Sequence, residues 1–376
     1  MHQAFLLALW LLLWMNCLSA KDVGQTWTEL EKGDQGDATW FLGAHEVQDL
    51  AQLSWDYVQC WFSPEKCEES GPGAWGWPRV GWDSLQFLSD WYIKVSESRG
   101  LTHGRITNNL TGLQWDLSRR VHGQHLAKEQ IVTFLKRFLQ ASEPKTSLTL
   151  SFHGWSGTGK SLVTRIIAEN LYEDGVRSPC IKVFFPQLHF PHISHLEAYK
   201  VQLERQIKEV SLRCAQPLFV FDEADQLPQA LLASIYPHSQ PDTTHVPAIF
   251  LFLSTVGSKA INEVALTFWR AGRHREEITM DDLDRPLKAS IRESEGDYLL
   301  LQALLSRGLI DALAPFLPLE RSHVKLCAQD SFVARGLPYT ETTLDLLTKE
   351  LLFVPKEEKL FSAQGCKLVA QRINFL

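Results

Sequence analysis

From Leu148 to Phe152 the chain alternates, with Leu148, Leu150 and Phe152 apolar and Thr149 and Ser151 between them; this period of two predicts a strand. A few residues later Leu162, Val163, Ile166, Ile167 and Leu171 recur at helical spacing, so a helix follows. Two further runs, Leu218-Phe219-Val220-Phe221 and Ala248-Ile249-Phe250-Leu251-Phe252-Leu253, contain no polar residue. Such runs suit parallel strands buried on both faces. Beyond Pro318 the spacing turns helical, with Val324, Leu326, Cys327 and Phe332 in one segment and Leu344, Leu346, Leu347, Leu351 and Leu352 in another.

Between the first strand and its helix the chain reads Gly154-Trp155-Ser156-Gly157-Thr158-Gly159-Lys160-Ser161, the full glycine-x4-glycine-lysine-serine pattern of a phosphate loop. Glycines let the backbone curl so that successive N–H groups and the positive helix end converge on phosphate oxygens. Lys160 then supplies a point charge for the terminal phosphates, and the Ser161 hydroxyl can ligate Mg²⁺. A glycine-rich turn that happens to precede Lys-Ser is the plainer reading, but the strand before and the helix after it favour a triphosphate.

The run ending at Phe221 delivers Asp222 and Glu223 at a strand's carboxyl end, where open α/β sheets bind ligands. Asp222 suits the Mg²⁺ shell, and Glu223 suits the base that orients and deprotonates an attacking water. Acidic pairs after strands are common, and it is the phosphate loop upstream that gives this one meaning. The third run ends in Ser254-Thr255. Thr255 can reach the γ-phosphate or the attacking water, or it can cap the next segment, and the sequence leaves both open. The guanine-reading Asn-Lys-x-Asp pattern is absent from the sequence, which favours ATP over GTP.

His153 with the phosphate loop, Phe221-Asp222-Glu223-Ala224-Asp225 and the late Gly365-Cys366-Lys367 together resemble the torsin family of AAA+ ATPases. Gly123-Gln124-His125-Leu126-Ala127, His189-Phe190-Pro191-His192, Pro315-Phe316-Leu317-Pro318-Leu319-Glu320 and Val354-Pro355-Lys356-Glu357-Glu358 are similar too, so the resemblance covers residues 110–376. Glu276-Glu277-Ile278-Thr279-Met280 and Gln371-Arg372-Ile373-Asn374-Phe375 point to the torsin-3 branch. The resemblance implies an α/β fold, a large AAA+ nucleotide domain with a parallel central sheet (residues 101–285), followed by a small helical domain (residues 286–376). It implies that Lys367 senses the nucleotide and that Cys327 and Cys366 form a redox-sensitive pair, where the residues alone allow a permanent staple. It further implies a missing arginine finger, supplied by a membrane-anchored activator with a lumenal domain or by a homo- or hetero-oligomer. Arg307 lies near the expected region and reads as a surface charge. Ser161 and Thr255 depart from the family's usual asparagines.

Composition narrows the setting. A net charge of −7 without a basic run excludes backbone-driven nucleic-acid binding. Ala4 through Met15 is an unbroken apolar run of 12 residues, short of the ~20 that cross a bilayer and right for a signal peptide over residues 1–20. No later span in residues 21–100 has membrane length, so the chain itself is expected to have no transmembrane segment. Asn109-Leu110-Thr111 is a glycosylation acceptor that fits the same compartment, the endoplasmic-reticulum lumen. Six cysteines follow the leader, and Cys60 and Cys67, close together in a Trp-rich segment over residues 21–100, are the easiest structural pair to imagine. The expected function is an ATP- and Mg²⁺-dependent lumenal ATPase that remodels or chaperones an unknown protein substrate. The alternative is a nucleotide-gated scaffold whose turnover is incidental.

Overall fold

A computed structural model describes residues 105–141, 146–239, 246–293 and 299–373. The leader, the Trp-rich segment and Cys60 and Cys67 lie outside the described residues. Within Val80–Leu376, which form one unit, five strands make a parallel sheet: β1 (Leu148–Gly154), β2 (Ile181–Phe184), β3 (Leu218–Phe221), β4 (Ile249–Ser254) and β5 (Ala312–Phe316). Their order is β2-β3-β4-β1-β5. Every residue of β1, β3, β4 and β5 is buried, which is why two of these strands read as unbroken apolar runs. Because the chain leaves β1 for the far edge and returns through β3 to β4, the loops after β1, β3 and β4 gather at one carboxyl edge.

Helices flank the sheet on both faces. α1 (Leu110–Arg120), α2 (His125–Gln140) and α3 (Lys160–Leu171) precede α4 (Leu196–Arg213) and α5 (Leu232–Ser239). α6 (Ser258–Arg270), α7 (Met280–Arg292) and α8 (Leu300–Ser306) come before β5, and α9 (Arg321–Ala334) and α10 (Glu341–Lys349) after it. Alternate strand residues feed two cores. Leu150, Phe152, Val220 and Leu251 pack with Leu113, Leu117, Ile131, Leu135, Val163 and Ile166 of α1, α2 and α3. Phe219, Phe221, Phe250 and Phe252 pack on the other face with Leu203 and Ile207 of α4, Ile261 of α6 and Leu283 and Leu287 of α7. On that face the rings stack from strand to strand, Phe184 on Phe221 and Phe221 on Phe252, each with centroids 4.9 Å apart. Such pairs add roughly 0.5–1.5 kcal/mol each beyond the area they bury.

β2 and β5 are not legible as strands from the sequence. β2 is four residues long and includes Lys182, while β5 contains Pro315, which cannot donate to a ladder and is tolerated because β5 is an edge. β5 also carries the sheet past the boundary expected at 285/286. A separate apolar cluster begins only at Leu319 and gathers Val324, Ala328, Phe332, Leu344, Leu347, Leu351, Phe353 and Val369. It contains α9, α10, a two-stranded hairpin of β6 (Phe353–Val354) and β7 (Phe361–Ser362), and a last turn of helix at Val369–Arg372. Leu326, Leu346 and Leu352, part of the helical pattern in the sequence, point to solvent. Arg270 of α6 pairs with Glu358 in the hairpin loop, which ties the two parts together at their rim. Among the described residues no helix is long and apolar enough to cross a membrane.

Two disulfides are present among the described residues. Cys327–Cys366 joins α9 to the segment before the last helical turn, as the resemblance implies, and Cys180–Cys214 joins the start of β2 to the residue that ends α4. The second pair has no signal in the sequence. It closes a loop of 34 residues beside the Cys180 carbonyl, which accepts from Leu218 N–H at the start of β3. Closing a loop of that size restricts the unfolded chain by about 3–4 kcal/mol. Replacing both cysteines by serine is therefore expected to lower the unfolding free energy by that amount and, because the unfolded chain is released, to raise the denaturant slope; a loss of less than about 1 kcal/mol would show the bond to be dispensable.

Candidate nucleotide site

At the end of β1 the chain turns through Gly154, Gly157 (φ +73) and Gly159 (φ +109) before α3 begins at Lys160. A side chain on Gly157 would strike the Gln364 carbonyl oxygen at 2.0 Å, whereas one on Gly159 would meet nothing within 4 Å. Gly159 thus opens onto free space at the amino end of a helix, where backbone N–H groups and the helix dipole favour an anion. The loop is braced from within: Thr158 Oγ1 donates to the Trp155 carbonyl at 2.8 Å.

Lys160 Nζ donates to the Gly154 and Trp155 carbonyls at 2.7 and 2.8 Å. Burial lowers its pKa to about 8, opposed by the charges of Asp222, Asp225 and Glu223. Ser161 Oγ donates to Asp222 Oδ2 at 3.2 Å. A hydroxyl and a carboxylate so close together are the hard oxygen donors that Mg²⁺ takes. Burial pushes the Asp222 carboxyl up, while the Glu223 N–H at 3.0 Å, Lys160 and Ser161 favour its ionised form.

Glu223 follows at φ +53, a left-handed backbone that costs a non-glycine residue roughly 1–2 kcal/mol. Its carboxyl is pushed up by burial first and then by Asp222 and Asp225, while Lys367 and a hydrogen bond from Gln187 pull it down. A raised carboxylate near a reacting water is better matched to proton transfer than an ordinary one. Thr255 lies after β4, its Oγ1 donating to Asp225 Oδ2 at 2.9 Å and its N–H to Oδ1 at 3.3 Å. Its side chain does not cap α6, whose N-cap is Gly257. The sheet therefore brings Thr255 to the acidic strand end.

Lys367 arrives from the other part of the molecule. Gly365 (φ +52) lies back to back with Gly157, where a side chain would come within 2.2 Å of the Gly157 oxygen, and that oxygen accepts from Cys366 N–H at 2.9 Å. The segment bearing Lys367 is thus in backbone contact with the phosphate loop, and the lysine's charge acts on both Lys160 and Glu223. Asn109 is apart from all this, exposed at the start of α1, where its Oδ1 accepts from Gly112 N–H at 2.8 Å. Arg307 is exposed at the C-cap of α8.

Three residues of the site have no role legible in the sequence. Asp225 holds Thr255. His153, fully buried on β1, lies between Ser151 Oγ at 2.8 Å and the Val256 carbonyl at 3.0 Å. Burial lowers its pKa to about 4, so the ring is neutral. A carbonyl can only accept, so Nδ1 carries the proton and donates to Val256, while Nε2 accepts from Ser151. His153 thereby pins the residue after Thr255 to the strand that leads into the loop. Gln124, also buried, donates from Nε2 to the Thr158 and Leu317 carbonyls at 3.0 and 2.9 Å. Both His153 and Gln124 stand in family-like stretches, which is the available signal.

Comparison with known proteins shows the family. A family model described as Torsin matches residues 99–221, and one described as Torsin-1A, C-terminal domain, matches residues 319–376. Torsin-3A of Mus musculus is 44% identical over 336 residues, covering 86% of this chain and 87% of that protein. Torsin-3A of Homo sapiens is 43% identical over 337 residues, 87% of this chain and 85% of that protein. Among solved structures, the S. cerevisiae Hsp104–ADP complex aligns with a TM-score of 0.51 at 14% identity over 78% of this chain. The chain spans half the length of that Hsp104 chain, and the likeness shows the fold alone.

Two outcomes are expected of this geometry. Gly365→Ala forces a side chain against the Gly157 backbone at positive φ, so the Lys367 segment must lift from the loop; ATP affinity is expected to fall about tenfold or more with the fold intact by circular dichroism. Affinity within about twofold of the parent would show that the contact does not matter. The second concerns pH. Between about 8 and the ordinary lysine value of 10.5 the unfolded chain holds the Lys160 proton that the folded chain releases, so stability rises with pH across that window. Phosphate oxygens hold the same proton in place, so ATP binding is expected to take up a proton at about pH 8.5 and to weaken as pH rises further. Calorimetry in buffers of different ionisation heat measures the uptake, and Lys160→Met should abolish it.

Proposed function

We infer the function of this chain from the premise that it belongs to the torsin family of AAA+ proteins: it binds ATP with Mg²⁺ at the β1–α3 loop and hydrolyses it to remodel or chaperone proteins. The observation that carries this reading is the convergence of Lys160 and Ser161 at the start of α3, Asp222 and Glu223 at the end of β3 and Lys367 from the distal cluster. Gly154, Trp155, Ser156, Gly157, Thr158 and Gly159 present backbone groups to the phosphates. Lys160 exchanges its two carbonyl partners for phosphate oxygens, and Ser161 with Asp222 would hold Mg²⁺, which supplies charge neutralisation on the phosphates when bound.

Glu223 takes the proton of the attacking water, and its raised pKa is the physical support for that role. Thr255, held by Asp225 and by the His153–Val256 bond behind it, is the residue we assign to contact the terminal phosphate or the attacking water. Lys367, whose charge acts on both Lys160 and Glu223, distinguishes triphosphate from diphosphate. The torsin resemblance implies that the catalytic arginine comes from outside the chain, and a membrane-anchored activator with a lumenal domain, or a neighbouring protomer, is the source we assign to it. The 12-residue apolar run at Ala4–Met15 and the exposed acceptor at Asn109 support a place in the endoplasmic-reticulum lumen.

A nucleotide-gated scaffold is the second reading, and the Thr255 hydroxyl favours it because that hydroxyl is already committed to Asp225. Glu223→Gln separates them. Under ATPase action the variant retains ATP and loses stimulated hydrolysis by about 10²–10⁴, since an amide can orient water but cannot take its proton. Single-turnover hydrolysis within a few-fold of the parent would overturn the general-base role, and equal, negligible turnover in both proteins would support the scaffold.

A further inference from the structure

Arg275 lies in the turn between α6 and α7, far along the chain from the phosphate loop, yet its side chain is only 7% exposed. Its Nε and Nη2 donate to the Gly123 carbonyl at 2.9 and 2.7 Å. Nη1 donates to the Pro318 carbonyl at 2.6 Å and pairs with Glu320 Oε1 at 3.3 Å. One guanidinium thus grips three segments: the turn that leads into α2, the exit from β5, and the cap of α9. Withdrawing a cation from water is costly unless its donors are used, and a planar fork reaching three acceptors is a task for arginine, not lysine.

Two of those segments lead to the nucleotide site. Gly123 (φ +65) precedes Gln124, and a side chain at 123 would meet the His323 ring of α9 at 2.7 Å, so the turn lies against the distal cluster. Gln124 is 1% exposed and spends its whole amide on the relay, donating to the Thr158 carbonyl of the phosphate loop and to Leu317 and accepting from Leu317 N–H at 2.8 Å. Pro318 and Glu320 begin the cluster that carries Lys367. The cluster's seat against the sheet and the position of the phosphate loop are therefore referred to the same guanidinium.

We propose that Arg275 is a positioning residue for the nucleotide, acting through Gln124 on the phosphate loop and through Glu320 and Pro318 on the seat of the Lys367-bearing cluster, so that it sets discrimination of ATP from ADP without touching either. This rests on the reading of the β1–α3 loop as a nucleotide site. The contacts of the loop itself are common to both nucleotides, whereas Lys367 reaches the terminal phosphate only if its cluster is held in place. Loosening the seat therefore costs ATP more than ADP.

The test is Arg275→Lys in the full chain, with ATP and ADP affinities measured by calorimetry beside the melting temperature. A lysine can satisfy part of the three acceptor sets, and the expected result is ATP affinity reduced about tenfold or more with ADP affinity within about threefold of the parent. In a Lys367→Ala background the same substitution should leave the ATP-to-ADP ratio unmoved, because the two act through one contact. Should Arg275→Lys fail to fold, Glu320→Gln keeps the α9 capping acceptor while removing the ion pair, and a smaller shift of the ratio in the same direction is expected. A folded variant with a lower melting temperature and the parent's ratio overturns the relay, as does an equal shift with and without Lys367. A parent chain that binds no ATP overturns the nucleotide reading and the relay with it; a parent that binds, with an unmoved ratio, overturns the relay alone.

Discussion

A partly buried lysine ammonium ringed by carboxylates is the constraint around which the rest of this molecule is arranged. Lys160 must sit where phosphates would lie, at the amino end of α3, which already carries partial positive charge. Its charge is sustained by two loop carbonyls and by the carboxylates of Asp222, Glu223 and Asp225. Those carboxylates can be there only because β3 ends where it does, next to β4 and one strand from β1. The buried phenyl ladder of Phe184, Phe221 and Phe252 fixes that adjacency in register. The apolar core and the polar site are thus consecutive stretches of the same strands, one serving to locate the other.

The second part of the molecule meets the first through backbone. Gly157 and Gly365 approach so closely that neither admits a side chain, and the Cys366 N–H satisfies the Gly157 oxygen. A contact made by main chain is short and stiff, so a small displacement breaks it instead of bending it. The Cys327–Cys366 bond sits at its root and ties the same residue to α9. The sensing role we propose for Lys367 rests on this contact, because the lysine stands one residue beyond it with no flexible span between.

Much of this is legible in the sequence, and the parts that are not share a cause. The phosphate loop, the acidic strand end and the buried strands β1, β3 and β4 are local patterns, in which spacing along the chain reports spacing in the fold. Gln124 finds its partner Leu317 at a separation of 193 residues and Arg275 finds Gly123 at 152, and no local pattern encodes either. The Cys180–Cys214 pair is hidden likewise, since neither cysteine stands near the other until β2 is laid beside β3. β5 is hidden for the opposite reason: Pro315 argues locally against a strand, and only its place at the sheet edge removes the objection. For Asp222, Glu223 and Thr255 the sequence places the residues, and geometry adds which of them are held by what.

Glu223 shows what that addition is worth. Its positive φ is a cost that asparagine or glycine would bear more easily, and a residue whose only task was to end β3 would be one of those. The strain is instead carried by a glutamate, held where burial and two neighbouring acids raise its proton affinity and where Gln187 fixes its direction. An ordinary solvated turn has no need of a carboxylate in so unfavourable a conformation. The left-handed backbone and the raised proton affinity are both accounted for if the side chain is aimed at a water that it must deprotonate.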